Sequence, residues 1–168
     1  MGYVVKVFAV LLLFISQLAF ANGDVANCTD EKGYTYYPNF GGVSPKNKKA
    51  WREESSSGKK IAVTNNNGQY DLIYSDTKRN QVFSALQEGA KISLISKSPT
   101  EFSLLVVFLG SSEIYSFRTA DDGKFEYVHT LIRSEMIPKI SAAIGACQQI
   151  NFQLVHWAQF FKALIASL

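Results

Sequence analysis

Beyond residue 50 the chain alternates short apolar, β-branched segments with clusters of Asn, Asp, Gly and Ser, the pattern of successive strands joined by tight turns. Residues 60–64 (KIAVT) run into Asn65-Asn66-Asn67-Gly68, and residues 69–75 (QYDLIYS) run out of it. An Asn-Gly pair suits the positive-φ positions of a hairpin turn, so the two segments are predicted to pair. A weaker strand is predicted at 81–85, ending near Gly89. Residues 91–96 (KISLIS) alternate strictly, with Ile92 and Leu94 on one face and Lys91 and Ser93 on the other. Residues 102–109 (FSLLVVFL) are apolar on both faces, which predicts a central, doubly buried strand. Residues 113–119 and 124–132 flank Asp121-Asp122-Gly123 as a further hairpin. In 138–147, Ile140, Ala142, Ile144 and Ala146 alternate with smaller or polar neighbours and predict a closing strand. Six or seven strands in chain order with short turns make a mainly β, single-domain antiparallel meander, barrel or sandwich-like.

The two flanks of this region read differently. Residues 22–50, rich in Gly, Asn, Lys and Tyr with Pro38 and Pro45, read as an irregular lead-in with one short strand near 34–37. Residues 148–168 read as a C-terminal amphipathic helix. Within it a period of 3.6 gathers Leu154, Trp157, Ala158, Phe161, Leu164, Ile165 and Leu168 on one side, against Gln153, His156, Gln159, Lys162 and Ser167 on the other. Such a face must cover something. The favoured reading is the chain's own sheet, with Trp157, Phe161 and Leu164 buried; a partner or a membrane surface are the other two. Lys162 is the one cation on the polar face, where membrane contact calls for several. The division is therefore 1–21 signal peptide, 22–50 lead-in, 51–147 antiparallel β domain and 148–168 helix.

The signal-peptide reading rests on residues 1–21. One cation, Lys6, precedes the apolar run 7–14 (VFAVLLLF), and Ala19-Phe20-Ala21 supplies small residues at the −3 and −1 positions of a cleavage site. The expected mature chain starts at Asn22, has 147 residues and is exported. Removing Lys6 leaves 16 basic against 14 acidic residues, too small an excess for a nucleic-acid footprint. The densest basic stretch, Lys46, Lys48, Lys49 and Arg52, is followed at once by Glu53 and Glu54 and reads as a solvated loop. Cys28 and Cys147 are the two cysteines. In an oxidising compartment they predict a single disulfide, closing a loop worth about 4–5 kcal/mol in the chain-entropy treatment. Lipidation of Cys28 and a sequon at Asn27-Cys28-Thr29 are the rival readings of that stretch. One bridge in so long a chain leans towards a bacterial periplasm or medium.

Catalytic patterns are sparse. His129 and His156 are the only histidines and share no metal-ligand spacing, so no metal or other cofactor is expected. No G-x-S-x-G elbow and no phosphate-cradling loop is present. The remaining candidate is aromatic: Tyr34, Tyr36, Tyr37, Phe40 and Trp51, clustered within 18 residues, either line a ligand-binding surface or cover a sheet face. In outline alone, by export, one bridge and a meander, the chain resembles the small disulfide-tied β-barrel proteins of the bacterial periplasm, lysozyme inhibitors among them. The resemblance carries no functional residue. The expected function is a non-enzymatic binding or inhibitory module whose partner is an unknown protein or small ligand. The alternative is a small secreted hydrolase whose Ser, His and acid converge only in three dimensions.

Overall fold

The computed structural model describes residues 23–38, 42, 50–76 and 80–155. The expected signal peptide at 1–21, Phe40, the lysines of 46–49, and residues 156–168, with His156 and the expected burial of Trp157, Phe161 and Leu164, lie outside the described residues. The described chain is mainly β. Nine strands are β1 (Gly23–Tyr36), β2 (Trp51–Asn66), β3 (Gln69–Asp76), β4 (Gln81–Ser84), β5 (Lys91–Ser98), β6 (Glu101–Phe108), β7 (Ser111–Thr119), β8 (Phe125–Arg133) and β9 (Lys139–Ile150). They form one antiparallel sheet in the order β4-β3-β2-β1-β9-β8-β7-β6-β5. The sheet curls into a half-barrel. Its two edges, β4 and β5, are consecutive in the chain, and β5 comes alongside β3.

The meander and its turns follow the sequence reading. Asn67 and Gly68 hold the positive φ angles of 54° and 87° that the Asn-Gly turn requires, and Gly123 takes 79° in the β7–β8 hairpin. The closing strand is present as β9. Three expectations are corrected. Residues 23–36 are not an irregular lead-in. They form a 14-residue strand paired on one side with β2 and on the other with β9. Its polar composition hid it: only Val25, Ala26, Cys28 and Thr35 are buried, and Asp30, at φ 37°, sits where the pairing with both neighbours shifts register. The segment 102–109 is not central. As β6 it lies next to the edge strand β5, with Phe102, Leu104 and Val106 buried inside the curl and Leu105 and Val107 half-buried outside. Third, β9 runs on to Ile150, and among the described residues only 152–155 are helical.

Cys28 and Cys147 are bonded. They are register partners on β1 and β9, so the bridge staples together the first and last strands of the sheet. A disulfide here is compatible with an oxidising compartment. The core lies inside the curl. Phe102 stacks on Phe117 with ring centroids 4.8 Å apart, among fully buried Val25, Val63, Leu72 and Leu104. The helical turn closes this end. Phe152 meets Phe102 and Phe125 edge-on, both at 6.3 Å, and Val155 is buried. Buried Asn65 secures the closure by donating from Nδ2 to the Leu154 carbonyl at 2.8 Å while its Oδ1 accepts from Gly68 N at 2.7 Å.

Candidate functional site

At the other end the half-barrel is hollow. Alternation along neighbouring strands puts Glu113, Tyr115 and Phe117 of β7, and Tyr127, His129 and Leu131 of β8, on the inner face. Across from His129 and Leu131 on β9 stand Ala143 and Ser141, and beside Ala143 on β1 stands Gly33. These small residues leave one wall low. Tyr74, Phe83, Phe108 and Tyr115 build the opposite one, and the space between is about 480 Å³. Gly145 has its own reason to be small, because a Cβ there would run into the Tyr127 ring.

Six polar side chains join across this interior. The His129 ring is buried parallel to Tyr115, 4.3 Å between centroids. Its Nδ1 lies 3.0 Å from Glu31 Oε2 on β1 and its Nε2 lies 3.2 Å from Glu113 Oε2 on β7. Tyr115 OH donates to the same Glu113 oxygen at 2.5 Å, and Tyr127 OH donates to Glu31 Oε2 at 3.4 Å. Tyr74 OH and Tyr115 OH stand 3.4 Å apart.

The charges explain one another. Burial alone would push the Glu31 and Glu113 carboxyls up. The hydrogen bond and charge of His129 outweigh it and hold both below the ordinary carboxylate range. Burial would likewise push His129 down, and its two carboxylate partners instead raise it. Both ring nitrogens face carboxylate oxygens, which only accept, so the geometry suits a ring that donates from both. Tyr115 and Tyr127 are pushed well up, first by burial, then by Tyr74 and Glu113 for Tyr115 and by Glu31 for Tyr127, and remain neutral donors.

The rim is a second polar group. Thr35 Oγ1 and Tyr37 OH donate to the two oxygens of Glu54 at 2.9 and 2.7 Å, and Lys59 and Lys139 line the same opening. Burial lowers Lys139. Glu54 counteracts this, and Arg133 and Lys59 push it further down.

Of the aromatic candidates, Tyr37 alone reaches this rim with its hydroxyl. Tyr36 and Trp51 are register partners on β1 and β2 with ring centroids 5.5 Å apart. Tyr34 borders the cavity between Gly33 and Thr35, but alternation turns its side chain outward and it is 57% exposed. Phe40 lies outside the described residues. By alternation and register Tyr34, Tyr36 and Trp51 share one face of β1 and β2, and among the described candidates Tyr37 stands apart from them. Sequence reasoning passed over Glu31, Glu113, Lys59 and Lys139 and set His129 aside. One signal was present. Glu113 and His129 each occupy the apolar face of an alternating strand, shared with Tyr115 and Phe117 or with Tyr127 and Leu131. No such signal marked Glu31, whose strand was not legible.

Among the described residues no group of three or more His, Cys, Asp and Glu is placed to hold a metal ion, and no helix is long and apolar enough to cross a membrane. Among the described residues no serine hydroxyl is hydrogen-bonded to His129, whose two nitrogens are engaged by carboxylates. Comparison with known protein families, with curated proteins and with solved structures finds no match.

Proposed function

We propose that this protein is an exported, non-enzymatic binding module, acting in a bacterial periplasm or medium, whose ligand sits in the hollow end of the half-barrel. One observation carries the reading: a cavity of about 480 Å³ between an aromatic wall and a wall of small residues, with a fixed network of donors and acceptors inside. Such a space suits a small molecule or a side chain of a partner protein, since recognition sites combine apolar walls with a few placed polar groups. Both nitrogens of His129 are engaged by carboxylates, which favours a structural and electrostatic role over a catalytic base. The signal sequence and the disulfide support export.

The test is native mass spectrometry of the protein isolated from the envelope fraction, with and without Ser141→Trp. Ser141 faces the cavity, so the indole fills it. The expected result is a bound small molecule, or uptake of an environment-sensitive apolar dye, in the parent protein and its loss in the variant. Equal occupancy in both proteins would remove the cavity from the function. The hydrolase alternative would gain ground if the parent protein turned over an ester or glycoside substrate and His129→Gln did not.

A further inference from the structure

We infer that the open end of the half-barrel is a docking tip for a lipid bilayer, with Leu109 and Met136 entering the acyl boundary and the Tyr36 and Trp51 rings resting among the headgroups. Such docking uses the outside of this end and is independent of what the cavity holds.

The described turns at the two ends differ in kind. At the closed end they are Asn67-Gly68, Pro99-Thr100 and 120–124 (ADDGK), and none of them exposes a large apolar side chain. At the open end the β6–β7 turn is Leu109-Gly110, and residues 134–138 (SEMIP) join β8 to β9. Leu109 is fully exposed, Met136 is 82% exposed, and Ile137 is exposed beside it. Turn chemistry does not ask for Leu at such a position, where Asn, Asp and Gly serve. Hydrogen bonds fix the loops against each other. Ser134 N donates to the Gly110 carbonyl at 2.9 Å, Arg133 Nε to the Ile137 carbonyl at 3.0 Å, and Gly42 N to the Met136 carbonyl at 2.7 Å. Behind them, on the outer face, Tyr36, Ile140 and Ile132 share one cross-strand row, and Trp51 is the register partner of Tyr36. Ile132, Ile140 and Trp51 are exposed. Single apolar groups scattered over a surface need no explanation, but a continuous set at one end does.

The shape and charge of this surface choose its partner. It projects, and it offers about six exposed apolar residues, whereas a stable protein interface takes about 20–30 residues a side. A second copy, equally convex, would bury little of it. A bilayer yields to a tip. The layering fits one as well. Aliphatic groups lead, and the row of Tyr36 and Trp51 follows about 7 Å behind, two residues along a strand. Interfacial apolar groups sink to about 5–10 Å, and Trp and Tyr gather at the headgroup level above them. Within 109–110 and 133–138 the charged residues are Arg133 and Glu135, which balance, so the attachment is apolar and not electrostatic. Phe108, Leu131 and Ser141 line the cavity and are chain neighbours of Leu109, Ile132 and Ile140, so docking turns the hollow end towards the bilayer.

The test is flotation of the processed protein, starting at Asn22, with vesicles of phosphatidylethanolamine and phosphatidylglycerol and, separately, of phosphatidylcholine, each at low and high salt. Binding to both is expected, with little loss at high salt. Leu109→Asp and Met136→Asp should each weaken it about tenfold, since burying one such side chain is worth about that factor. Both positions are exposed, so the thermal midpoint should not move. Ile95→Asp, at an exposed position of the edge strand β5, is the control and should bind as the parent does. In a Trp157→Phe background, Trp51 fluorescence should be quenched more by bromines near the headgroups than by bromines deep in the acyl chains. No flotation of the parent would overturn the inference, and self-association abolished by Leu109→Asp would then make the tip a contact between copies. Binding to the anionic vesicles alone would overturn it too. So would flotation that Phe161→Asp abolishes and Leu109→Asp leaves intact, which would move the attachment to the C-terminal segment.

Discussion

The two ends of the half-barrel are built from the same strands by opposite rules. At the closed end, inward positions of β1, β2, β3, β6 and β7 are Val25, Val63, Leu72, Phe102 and Phe117, all fully buried, with Phe152 and Val155 packed on them from the helical turn. At the open end, β1, β7 and β8 turn Glu31, Glu113 and His129 inwards, and the small residues of β9 leave space unfilled. One strand, β7, passes from Phe117 to Glu113 in two inward steps. The first end derives its stability from area removed from water. The second spends part of that stability on holding charges in a fixed place, as sites that bind commonly do.

If that contrast is right, the two ends respond differently to perturbation. The largest effect is expected at the closed end. Phe102→Ala removes a ring stacked on Phe117 and in edge contact with Phe152, and should lower unfolding free energy by about 3–5 kcal/mol, with little change in its pH dependence. Denaturant melts at several pH values check both parts. Next, Glu113→Gln leaves His129 with a single carboxylate and strips Tyr115 of a charged acceptor. A loss of about 1–3 kcal/mol near pH 6 is expected. An unchanged midpoint would show that the network contributes no stability and is there for another reason.

The pH profile itself sharpens the contrast. Glu31 and Glu113 are depressed on folding, so their contribution is present above the ordinary carboxylate range and is lost as pH falls through their folded values. His129 is raised on folding, so its contribution is present below the ordinary imidazole value of about 6.5 and is lost as pH climbs through its folded value. The two windows overlap between about pH 5 and about pH 6.5, where stability should be maximal. His129→Phe should abolish the alkaline limb, and Phe102→Ala should shift the whole curve downwards without reshaping it. The smallest effect tests an exception. Tyr70 is buried at the closed end and its hydroxyl has no partner among the described residues. Tyr70→Phe should therefore be neutral or stabilising by up to about 1 kcal/mol, whereas Tyr115→Phe, at the open end, should destabilise.

The same division governs what the sequence disclosed. The meander was legible because its hairpins carry strong local signals: Asn67-Gly68, Gly123, and the strict alternation of 91–94. The pairing of Cys28 with Cys147 needed only a count. β1 was not legible because its residues are polar and its pairing shifts at Asp30. What makes it a strand is two long-range partners, β2 and β9, rather than any local pattern. The burial of 102–109 was misread for a related reason. Apolar residues on both faces record what a curved sheet leaves half-covered as readily as what it buries, so Leu105 and Val107 said little about position in the strand order. The site suffered most. His129 was visible as one of two histidines, but its meaning depends on Glu31, 98 residues earlier on the strand that had been missed.

The pairing of β1 with β9 also sets an order in time. A chain delivered from its N-terminus presents β1 first, yet one of that strand's neighbours is the last strand to arrive. Until then β1 has a bare edge, Cys28 has no partner thiol, and Glu31 faces no histidine. Contacts separated by so much sequence form slowly. Both the covalent staple and the charged interior are thus late events, completed together when β9 docks. A chain stalled before residue 139 would be a sheet with an open side and an unused thiol, a bare edge of the kind that pairs with other chains.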